Sequence, residues 1–382
     1  MTEPAGLGFL RPYLPLFGTL FGCLLGVGAP LAALPFYVTG ELGGGDLAVG
    51  VAVAAIAAAS IVARPVAGRL ADRRGHKPVL LAGTVACTAA GVLYYAAADL
   101  AVLVPVRLLH GVGEAAVYTA GAAWLVAICP PARRGRVVGL YGMAMYLGIT
   151  AGALAGELLR NLIGFGAVWA FCVVAPLAGL ASALPVRPVP VPAGSPGWVL
   201  LPRSVVRPGT GLALAALGYG ALGAFAALHL ADRGVSGGIA AFNAYGIAYV
   251  VVRLALGNWP DRFGARRVAV GCGLVEAAGL LLVAAAPNLA VAVLGGLVTG
   301  AGVSLLFPAL ALVVMNRTEP SRQGSAIGTY TSFWDLGVAL GGPVGGVVAA
   351  VAGYPEVFVV MAVPALACAA LAAARTRQPA AA

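Results

Sequence analysis

Long runs of apolar residues alternate along this chain with short segments that carry most of its charged side chains. Each run is about 20 to 28 residues long, and a helix rising about 1.5 Å per residue crosses a hydrocarbon core of about 30 Å over that length. The runs cover residues 12–39, 47–71, 78–98, 100–128, 137–159, 163–184, 207–231, 236–259, 267–286, 288–315, 323–350 and 354–375. The pattern therefore predicts an all-α membrane protein with twelve transmembrane helices.

Composition supports a membrane location. Hydrophobic residues make up 61% of the 382 positions and charged residues only 9%, more apolar material than a soluble domain can bury. The first run lacks a basic leader and continues into ordinary spans, so we expect it to be the first helix rather than a cleavable signal peptide. The six cysteines stand singly, mostly within spans, which indicates packing residues rather than a metal site or a disulfide framework.

The positive charges indicate a topology. The net charge is +10, but the bases lie in short loops between spans and form no single patch, so we expect no nucleic-acid partner. With both termini in the cytoplasm, most bases fall on the cytoplasmic side and only Arg160 and Arg233 fall outside, while Arg64, Arg107 and Arg253 stay within spans. Arg outnumbers Lys 22 to 1 and Ala and Gly are abundant, which is typical of a G+C-rich bacterial gene. We therefore expect a multi-pass protein of a bacterial inner membrane that acts in the lipid bilayer as a monomer and needs no cofactor.

Two charged segments share one pattern. Residues 68–77 read GRLADRRGHK, and residues 257–266, which lie 189 positions later, read GNWPDRFGAR. The same offset relates Arg64 to Arg253, Gly111 to Gly300, Gly113 to Gly302, Pro131 to Pro320, Arg133 to Arg322, Gly135 to Gly324, and Gly139, Gly148, Gly152 and Gly156 to Gly328, Gly337, Gly341 and Gly345. One offset over about ninety positions indicates a duplicated unit of six spans, repeated in parallel about an axis along the membrane normal. We therefore predict one half over residues 1–184, a Pro-rich cytoplasmic linker over 185–206 and a second half over 207–382.

The first charged segment also resembles a family motif. The major facilitator superfamily of secondary transporters has G-x-L-A-D-R-x-G-x-K between its second and third spans, which appears here as Gly68, Leu70, Ala71, Asp72, Arg73, Gly75 and Lys77. The resemblance covers the whole chain as six plus six spans. It implies that spans one, four, seven and ten line a central cavity, with a small-molecule substrate bound near the membrane midplane between the halves.

Two further stretches resemble bacterial drug–proton antiporters and related efflux permeases. LVPVRLLHGVGEAA follows the fourth-span pattern of proton-coupled carriers, with His110 where Gln is usual and Glu114 where a small residue is usual. GLYGMAMYLGITAGALAGE follows the antiporter pattern of the fifth span, with Ala153 in place of Pro and Glu157 in place of the last Gly. The resemblance implies proton-driven export of a small organic molecule, a drug or natural product, and a role in drug resistance.

By the same resemblance, the repeated charged segments form a gate. Asp72 can cap the N-terminal end of span eleven and Asp261 that of span five, each in the opposite half, while Gly68 and Gly257 allow close helix contact. The predicted gating residues are Gly68, Asp72, Arg73, Gly75, Gly257, Asp261, Arg262 and Gly264. The alternative is that these segments only determine topology. The glycine ladders of spans five and eleven are interpreted as helix-packing surfaces.

The fourth span carries a polar stripe. Its members, at i, i+3, i+7 and i+11, share nearly one helix face and are Arg107, His110, Glu114 and Tyr118. Because a charge at the bilayer centre costs at least about 2.5 kcal/mol, we expect the stripe to face a wet cavity and mark an ion path. We predict Glu114 as the principal proton acceptor, with Arg107 and His110 beside it and H⁺ as the coupling ion. The alternative is a fixed ion pair between Arg107 and Glu114 that stabilises the first half.

Other embedded polar residues are further candidates. Asp335, near the middle of span eleven, is predicted as a second proton site, with a structural partner for a neighbouring helix as the alternative. Glu276 in span nine is interpreted as a member of a buried structural pair. The predicted substrate cavity contains Tyr118, Tyr141, Tyr146, Asn243 and Tyr245, although Tyr is equally ordinary at a packed interface.

The sequence favours a transporter over an enzyme. It contains no recognisable nucleophile with its base, phosphate-binding loop or metal cluster, and no soluble domain through which a membrane sensor could signal. The alternative within transport is a proton symporter that imports a sugar, an organic acid or a metallophore. An importer of anions would need unpaired bases in the cavity, and Arg107 is the one base well inside a cavity helix.

Overall fold

The computed structural model describes residues 7–130, 134–188, 203–318 and 323–374. Within these ranges there is no strand, and twelve helices are long and apolar enough to cross a membrane, which confirms the predicted fold class. Most of the predicted linker over residues 185–206 lies outside the described residues, as do the repeated positions Pro131 to Arg133 and Pro320 to Arg322. All six cysteines are buried, as packing residues should be.

The helices follow the predicted spans. In the first half they are α1 (Leu14–Phe36), α2 (Asp46–Arg74), α3 (His76–Leu93), α4 (Leu100–Ile128), α5 (Arg134–Leu162) and α6 (Phe165–Ala183). In the second half they are α7 (Arg203–Asp232), α8 (Ile239–Leu256), α9 (Trp259–Phe263), α10 (Ala265–Ala285), α11 (Leu289–Ser304), α12 (Leu306–Met315), α13 (Gln323–Ala352) and α14 (Tyr354–Ala373). A 3₁₀ segment (Leu7–Tyr13) precedes α1, a π-helical turn (Tyr37–Glu41) follows it, and a second 3₁₀ turn (Tyr94–Ala96) follows α3.

Contacts divide the chain into two compact units. The first contains Met1–Tyr37 and Ala58–Gly197, and the second contains Val38–Ala57 and Trp198–Ala382. The second unit thus includes the first part of α2, which the sequence assigns to the first half. Within that unit, the Tyr354 hydroxyl donates a hydrogen bond of 2.9 Å to Oδ1 of Asp46. The helix α2 therefore belongs to both units.

The duplication is visible in the backbone. Gly75 and Gly264 precede α3 and α10 with φ of 94° and 87°. Gly164 and Gly353 precede α6 and α14 with φ of 116° and 107°. The members of each pair are 189 residues apart, the offset of the sequence repeat. Positive φ favours glycine, so a shared backbone conformation explains these glycines in both copies.

The segment GRLADRRGHK is largely helical. The helix α2 runs through Gly68 to Arg74, and it ends where the N–H of Gly75 bonds to the carbonyl of Ala71 at 2.9 Å. Leu, Ala and Arg have high helix propensity, and the basic last turn complements the negative C-terminal end of the helix. The charged segment in the first half is therefore the end of a helix, with the connecting turn confined to Gly75.

Two predicted spans are interrupted by proline. The predicted span over residues 236–259 ends early, at Leu256, and the span over 288–315 breaks after Ser304 into α11 and α12. Pro260 and Pro308 follow these two ends by four residues. A proline lacks the N–H that would bond to the carbonyl four residues before it, and its ring clashes with that carbonyl. The same local effect therefore ends both helices.

The glycine ladders pack helices within each unit. A Cβ on Gly152 of α5 would overlap the backbone of Leu25 in α1, and a Cβ on Gly341 of α13 would overlap the backbone of Leu217 in α7. Backbones that approach this closely leave space for hydrogen only. The predicted packing role is confirmed at these positions, whereas Gly139 at the start of the α5 series has no heavy atom within 4 Å of such a Cβ.

Candidate functional site

Glu114 forms a nearly buried ion pair with Arg64. Nη2 of Arg64 lies 3.2 Å from Oε1 and 3.3 Å from Oε2 of Glu114, and the Ser60 hydroxyl donates to Oε2 at 3.1 Å. The side chains of Arg64 and Glu114 are 12% and 8% exposed. Glu114 lies on α4 and its two partners lie on α2, so the contact joins these helices inside the first unit. The counter-charge beside Glu114 is thus Arg64, whereas the sequence predicts Arg107 in this role.

Tyr118 adds an aromatic surface to this pair. The guanidinium carbon of Arg64 lies 5.1 Å from the centroid of the Tyr118 ring, a cation–π distance. The Tyr118 ring stacks on Tyr141 with centroids 5.7 Å apart, and the buried Tyr141 hydroxyl donates to the carbonyl of Val117 at 3.3 Å. We call Ser60, Arg64, Glu114 and Tyr118 the α2–α4 cluster. Tyr146, another predicted cavity residue, is buried on α5.

Arg107 and His110 belong to a different cluster. Nη1 of Arg107 donates to the Tyr94 hydroxyl at 3.2 Å, and the same hydroxyl lies 3.1 Å from Nδ1 of His110. The Tyr94 ring stacks on Trp169 with centroids 4.7 Å apart. Arg107, His110 and Tyr94 are fully buried. The predicted stripe on α4 is therefore divided, because seven residues along a helix separate Arg107 from Glu114 by about 10 Å.

An aromatic cluster surrounds Tyr219 in the second unit. Its ring centroid lies 5.2 Å from that of Tyr245, 5.5 Å from Phe242 and 5.5 Å from Trp334. Two predicted cavity residues, Asn243 and Tyr245, lie here on α8 and are buried. Oδ1 of Asn243 and the Tyr245 hydroxyl have no hydrogen-bond partner within the described ranges. A buried polar group without a hydrogen bond is costly, which makes these two groups candidates for contact with a polar ligand or water.

The second unit contains two further charged residues within its spans, Asp335 and Arg253. Asp335 is buried on α13 beside Trp334. Arg253, the repeat counterpart of Arg64, donates from Nη2 to the Tyr249 hydroxyl at 2.6 Å and lies 5.3 Å from the centroid of that ring. Val303 stands where the repeat offset would place a counterpart of Glu114. The ion pair of the first unit is therefore not duplicated at that position.

The final base of the charged motif has a structural role in both copies. Nζ of Lys77 donates to the carbonyls of Leu184 and Val186 at 2.6 and 2.8 Å, at the end of α6. Arg266, 189 residues later, donates to the carbonyl of Ala373 at the end of α14. A base at a helix C-terminus satisfies carbonyls that have no partner within the helix. Each copy of the motif thus holds the last helix of its own half.

The predicted gating residues make few close contacts in this conformation. A Cβ on Gly68 would meet only Cγ2 of Thr119 at 3.7 Å, so the close helix contact predicted at Gly68 is absent in this conformation. The side chains of the charged members are exposed; these are Asp72, Arg73, Asp261 and Arg262. The gating role of this set stays a prediction.

A cavity of about 240 Å³ lies in the second unit, between α7, α10, α12 and α14. Three bases, Arg207, Arg266 and Arg317, line it together with apolar side chains such as Leu310 and Val313. The five residues predicted for the substrate cavity do not line this one. It is therefore separate from both the α2–α4 cluster and the aromatic cluster around Tyr219.

Sequence reasoning assigned no role to several residues that matter here. Arg64 carried a usable signal, because it is a charge within a span and recurs as Arg253 at the repeat offset. Ser60, Tyr94 and Tyr219 carried no such signal, since hydroxyl and aromatic residues are ordinary within spans. Their importance arises from packing between helices distant in sequence.

Comparison with known proteins identifies the family. The model described as Major Facilitator Superfamily matches residues 16–209 and again residues 208–382. An uncharacterised MFS-type transporter of Salmonella typhimurium is 33% identical over 354 residues, which cover 90% of each chain. One from Burkholderia mallei is 34% identical over 357 residues, which cover 91% of this chain and 88% of the relative. The repeated match agrees with the duplication in the sequence and the backbone.

Solved structures share the fold. The nucleoside transporter NupG aligns with a TM-score of 0.75 at 16% identity, covering 96% of this chain and 100% of that one. The human organic anion transporter MFSD10 (TETRAN) aligns with a TM-score of 0.74 at 19% identity, covering 97% of this chain and 100% of that one. At these identities the likeness concerns the fold alone. With its twelve candidate spans and a family match over both halves, this chain belongs to the major facilitator superfamily and is a multi-pass secondary transporter, not an enzyme.

Proposed function

We propose that this transporter couples export of a small organic molecule to proton entry by alternating access, with Glu114 as the acid that carries the coupling proton. The observation that carries the proposal is the nearly buried Arg64–Glu114 ion pair. The fifth-span glycine pattern of antiporters supports the direction of export. The proposal includes a bacterial inner membrane with both termini in the cytoplasm, in keeping with the distribution of bases.

The ion pair suits proton coupling because protonation changes its charge balance. Ionised Glu114 accepts hydrogen bonds from Arg64 and Ser60. When Glu114 binds a proton, Arg64 keeps its positive charge in a site where it is only 12% exposed. Loss of the carboxylate charge weakens the electrostatic stabilisation of Arg64 in this site, which favours the approach of water or a polar substrate group. Proton binding at Glu114 and ligand binding near Arg64 are then thermodynamically linked.

The α2–α4 cluster also offers a surface for an organic ligand. The Tyr118 ring contacts the Arg64 guanidinium and also stacks on the Tyr141 ring. A flat ligand that stacks on Tyr118 would compete with Arg64 for the ring, which strengthens the link between ligand and proton. We assign Arg107 and His110 a supporting role, because both are fully buried and bonded to the Tyr94 hydroxyl.

The first experiment identifies a substrate. An efflux-deficient bacterial host would express the wild type, Glu114→Gln or Glu356→Gln and grow on a panel of toxic compounds. Glu356 is an exposed acid in the first turn of α14, so its variant removes the same charge outside the cluster. We expect the wild type and Glu356→Gln to raise tolerance to at least one compound, and Glu114→Gln to match the empty vector at equal expression.

The second experiment tests coupling with the compound so found. In proteoliposomes with an imposed pH gradient, the wild type should accumulate the compound, whereas Glu114→Gln should exchange it only downhill. Gradient-driven transport by Glu114→Gln with wild-type pH dependence would contradict the role of Glu114, and Asp335 would be the next acid to test.

The same assay separates export from import. Transport of the compound in the same direction as the proton would replace antiport by symport, the alternative that the sequence leaves open. The panel should include nucleosides and organic anions, because two proteins that share the fold are named as transporters of these compounds.

A further inference from the structure

A second acid, Glu276, is buried in the other unit. It lies in the middle of α10 with 0% of its surface exposed, and within the described ranges neither carboxyl oxygen has a hydrogen-bond partner. The sequence-based interpretation of Glu276 as a member of a structural pair is therefore not met by any hydrogen bond or ion pair in the described structure. By contrast, both oxygens of Glu114 are occupied.

The surroundings of Glu276 offer neutral groups. The Cys272 thiol on its own helix, the Cys368 thiol on α14 and the Tyr245 hydroxyl on α8 are close enough to interact with the carboxyl electrostatically. The Tyr245 hydroxyl also lacks a hydrogen-bond partner within the described ranges. Arg253 on α8 is a base whose field reaches Tyr245 and Cys272.

Small residues make room for the carboxyl. A Cβ on Gly218 of α7 would lie 3.0 Å from Oε1 of Glu276, and a Cβ on Gly302 of α11 would lie 2.5 Å from the Glu276 nitrogen. The residues 189 positions before Gly218 and Glu276 are Ala29 and Cys87, which are both buried. The second copy thus has a longer side chain on α10 and a smaller residue on α7. This paired difference is what a site shaped around a carboxyl requires.

In the described conformation, an ionised carboxylate of Glu276 would have no ion pair and no hydrogen bond among the described residues. Withdrawing such a group from water costs more than its packing returns, so a carboxyl in this position binds a proton instead. The neutral acid still leaves polar atoms unsatisfied. A residue of pure packing value, such as Leu, would avoid that cost, so packing does not account for Glu276.

We propose that Glu276 is a second proton-binding site of this transporter, protonated in the described conformation and able to release its proton when water enters between α7 and α10 beside Gly218. On release, the O–H bond of the acid breaks, the electron pair stays on the carboxylate and the proton passes to the entering water. The Tyr245 hydroxyl can then donate a hydrogen bond to the carboxylate. The protonation of Glu276 does not depend on the proposed role of Glu114. Only the contribution of Glu276 to transport rests on the proposed proton coupling.

Infrared spectroscopy of the full chain in lipid tests this directly, with the proton and the deuteron as probes. A protonated carboxylic acid has a carbonyl stretch distinct from that of a carboxylate. We expect one such band at neutral pH to be lost in Glu276→Gln and kept in Glu114→Gln and in the exposed-site control Glu356→Gln. The band should shift in D₂O and disappear reversibly at alkaline pH. A spectrum in which Glu276→Gln removes no band, or a band that neither shifts nor titrates, would overturn the proposal.

A second variant covers the case in which Glu276→Gln does not fold. Gly218→Ala places a methyl group 3.0 Å from Oε1 of Glu276, whereas Gly271→Ala on the same helix as Glu276 meets no heavy atom within 4 Å. We expect the carbonyl band to change frequency in Gly218→Ala and to stay in place in Gly271→Ala. An unmoved band in Gly218→Ala would assign it to another acid and overturn the proposal.

The proposals for Glu114 and Glu276 can be refuted independently of each other. With the compound identified for the wild type, Glu276→Gln should weaken the pH dependence of transport in proteoliposomes, and Glu114→Gln should abolish gradient-driven accumulation. Wild-type pH dependence in Glu276→Gln would overturn proton release from Glu276 and leave Glu114 untouched. Coupled transport in Glu114→Gln, with the Glu276 band present, would overturn the role of Glu114 alone.

Discussion

Removing one charge of the Arg64–Glu114 pair should destabilise the protein more than removing both. Glu114→Gln removes the carboxylate that pairs with the Arg64 side chain, which is 12% exposed, and Arg64→Met removes the guanidinium that pairs with Glu114, whose side chain is 8% exposed. Removing one partner of a buried pair costs about 3–5 kcal/mol, while replacing both with neutral groups of similar volume is often nearly neutral. The double variant should therefore be more stable than the two single losses predict.

The geometry sets the size of this effect. Two unit charges 3.2 Å apart attract by about 5 kcal/mol at an effective dielectric constant of about 20. Because removing both charges should cost less than removing either one, the double-mutant cycle should give a coupling energy of at least about 3–5 kcal/mol, the size of one single loss. An exposed ion pair would give only about 0.2–1 kcal/mol.

Equilibrium unfolding of the purified chain in mixed detergent micelles, followed by circular dichroism, measures the four free energies of unfolding in this cycle. Ser60→Ala is the control, because it removes no charge but only the hydroxyl whose proton is shared between Glu114 and the Gly111 carbonyl, and it should cost only about 1 kcal/mol. The free energy of unfolding of the double variant decides the matter. If it falls by as much as the two single variants' values together, within about 0.5 kcal/mol, the two charges are not coupled and the reasoning from their burial fails.

Three further predictions concern other parts of the fold. Asp72→Asn should slow turnover and leave substrate affinity within about three-fold, because the proposed helix-capping contact stabilises one conformation of the gate; unchanged transport at matched expression would remove the gating role. Gly152→Ala should lower the free energy of unfolding by about 1–3 kcal/mol through overpacking, and Gly139→Ala, where the Cβ has no neighbour within 4 Å, should cause no loss; equal effects would contradict the packing assignment. Tyr94→Phe should cost about 1–3 kcal/mol because it removes the hydroxyl that Arg107 bonds, and an unchanged thermal midpoint would refute this.

Much of the fold was readable in the sequence, because the length of an apolar run and the offset between repeated glycines are local quantities. The breaks before Pro260 and Pro308 fit the missing N–H and ring clash of a proline, but Pro65 and Pro105 lie inside continuous helices, so a proline in the sequence does not by itself reveal a break. They were missed because a long apolar run was taken as one helix. The helical end of α2 was misjudged because a dense run of charge resembles a loop, although Arg73 and Arg74 favour a helix C-terminus.

The site was less predictable. The polar stripe on α4 identified Glu114 as a candidate, but the counter-charge of Glu114 lies 50 residues away in the sequence, on α2. Helical periodicity specifies which residues share a face, and it does not specify which helix packs against that face. The lack of a hydrogen-bond partner for Glu276 among the described residues is likewise a property of the several helices packed around it. A sequence can reveal a buried acid, whereas its protonation state depends on neighbours that only the tertiary structure provides.

The bonds from Lys77 and Arg266 to the ends of α6 and α14 affect how inactive variants should be interpreted. Lys77 holds the start of α3 to the end of α6, and Arg266 holds the start of α10 to the end of α14. A loss at either position is therefore a defect of assembly, and low expression would accompany it. A mutational screen that interprets every loss of function in the charged motif as a transport defect would misinterpret variants of Lys77 and Arg266. Exchange between Lys and Arg should be tolerated here, because the chain already uses one in each copy.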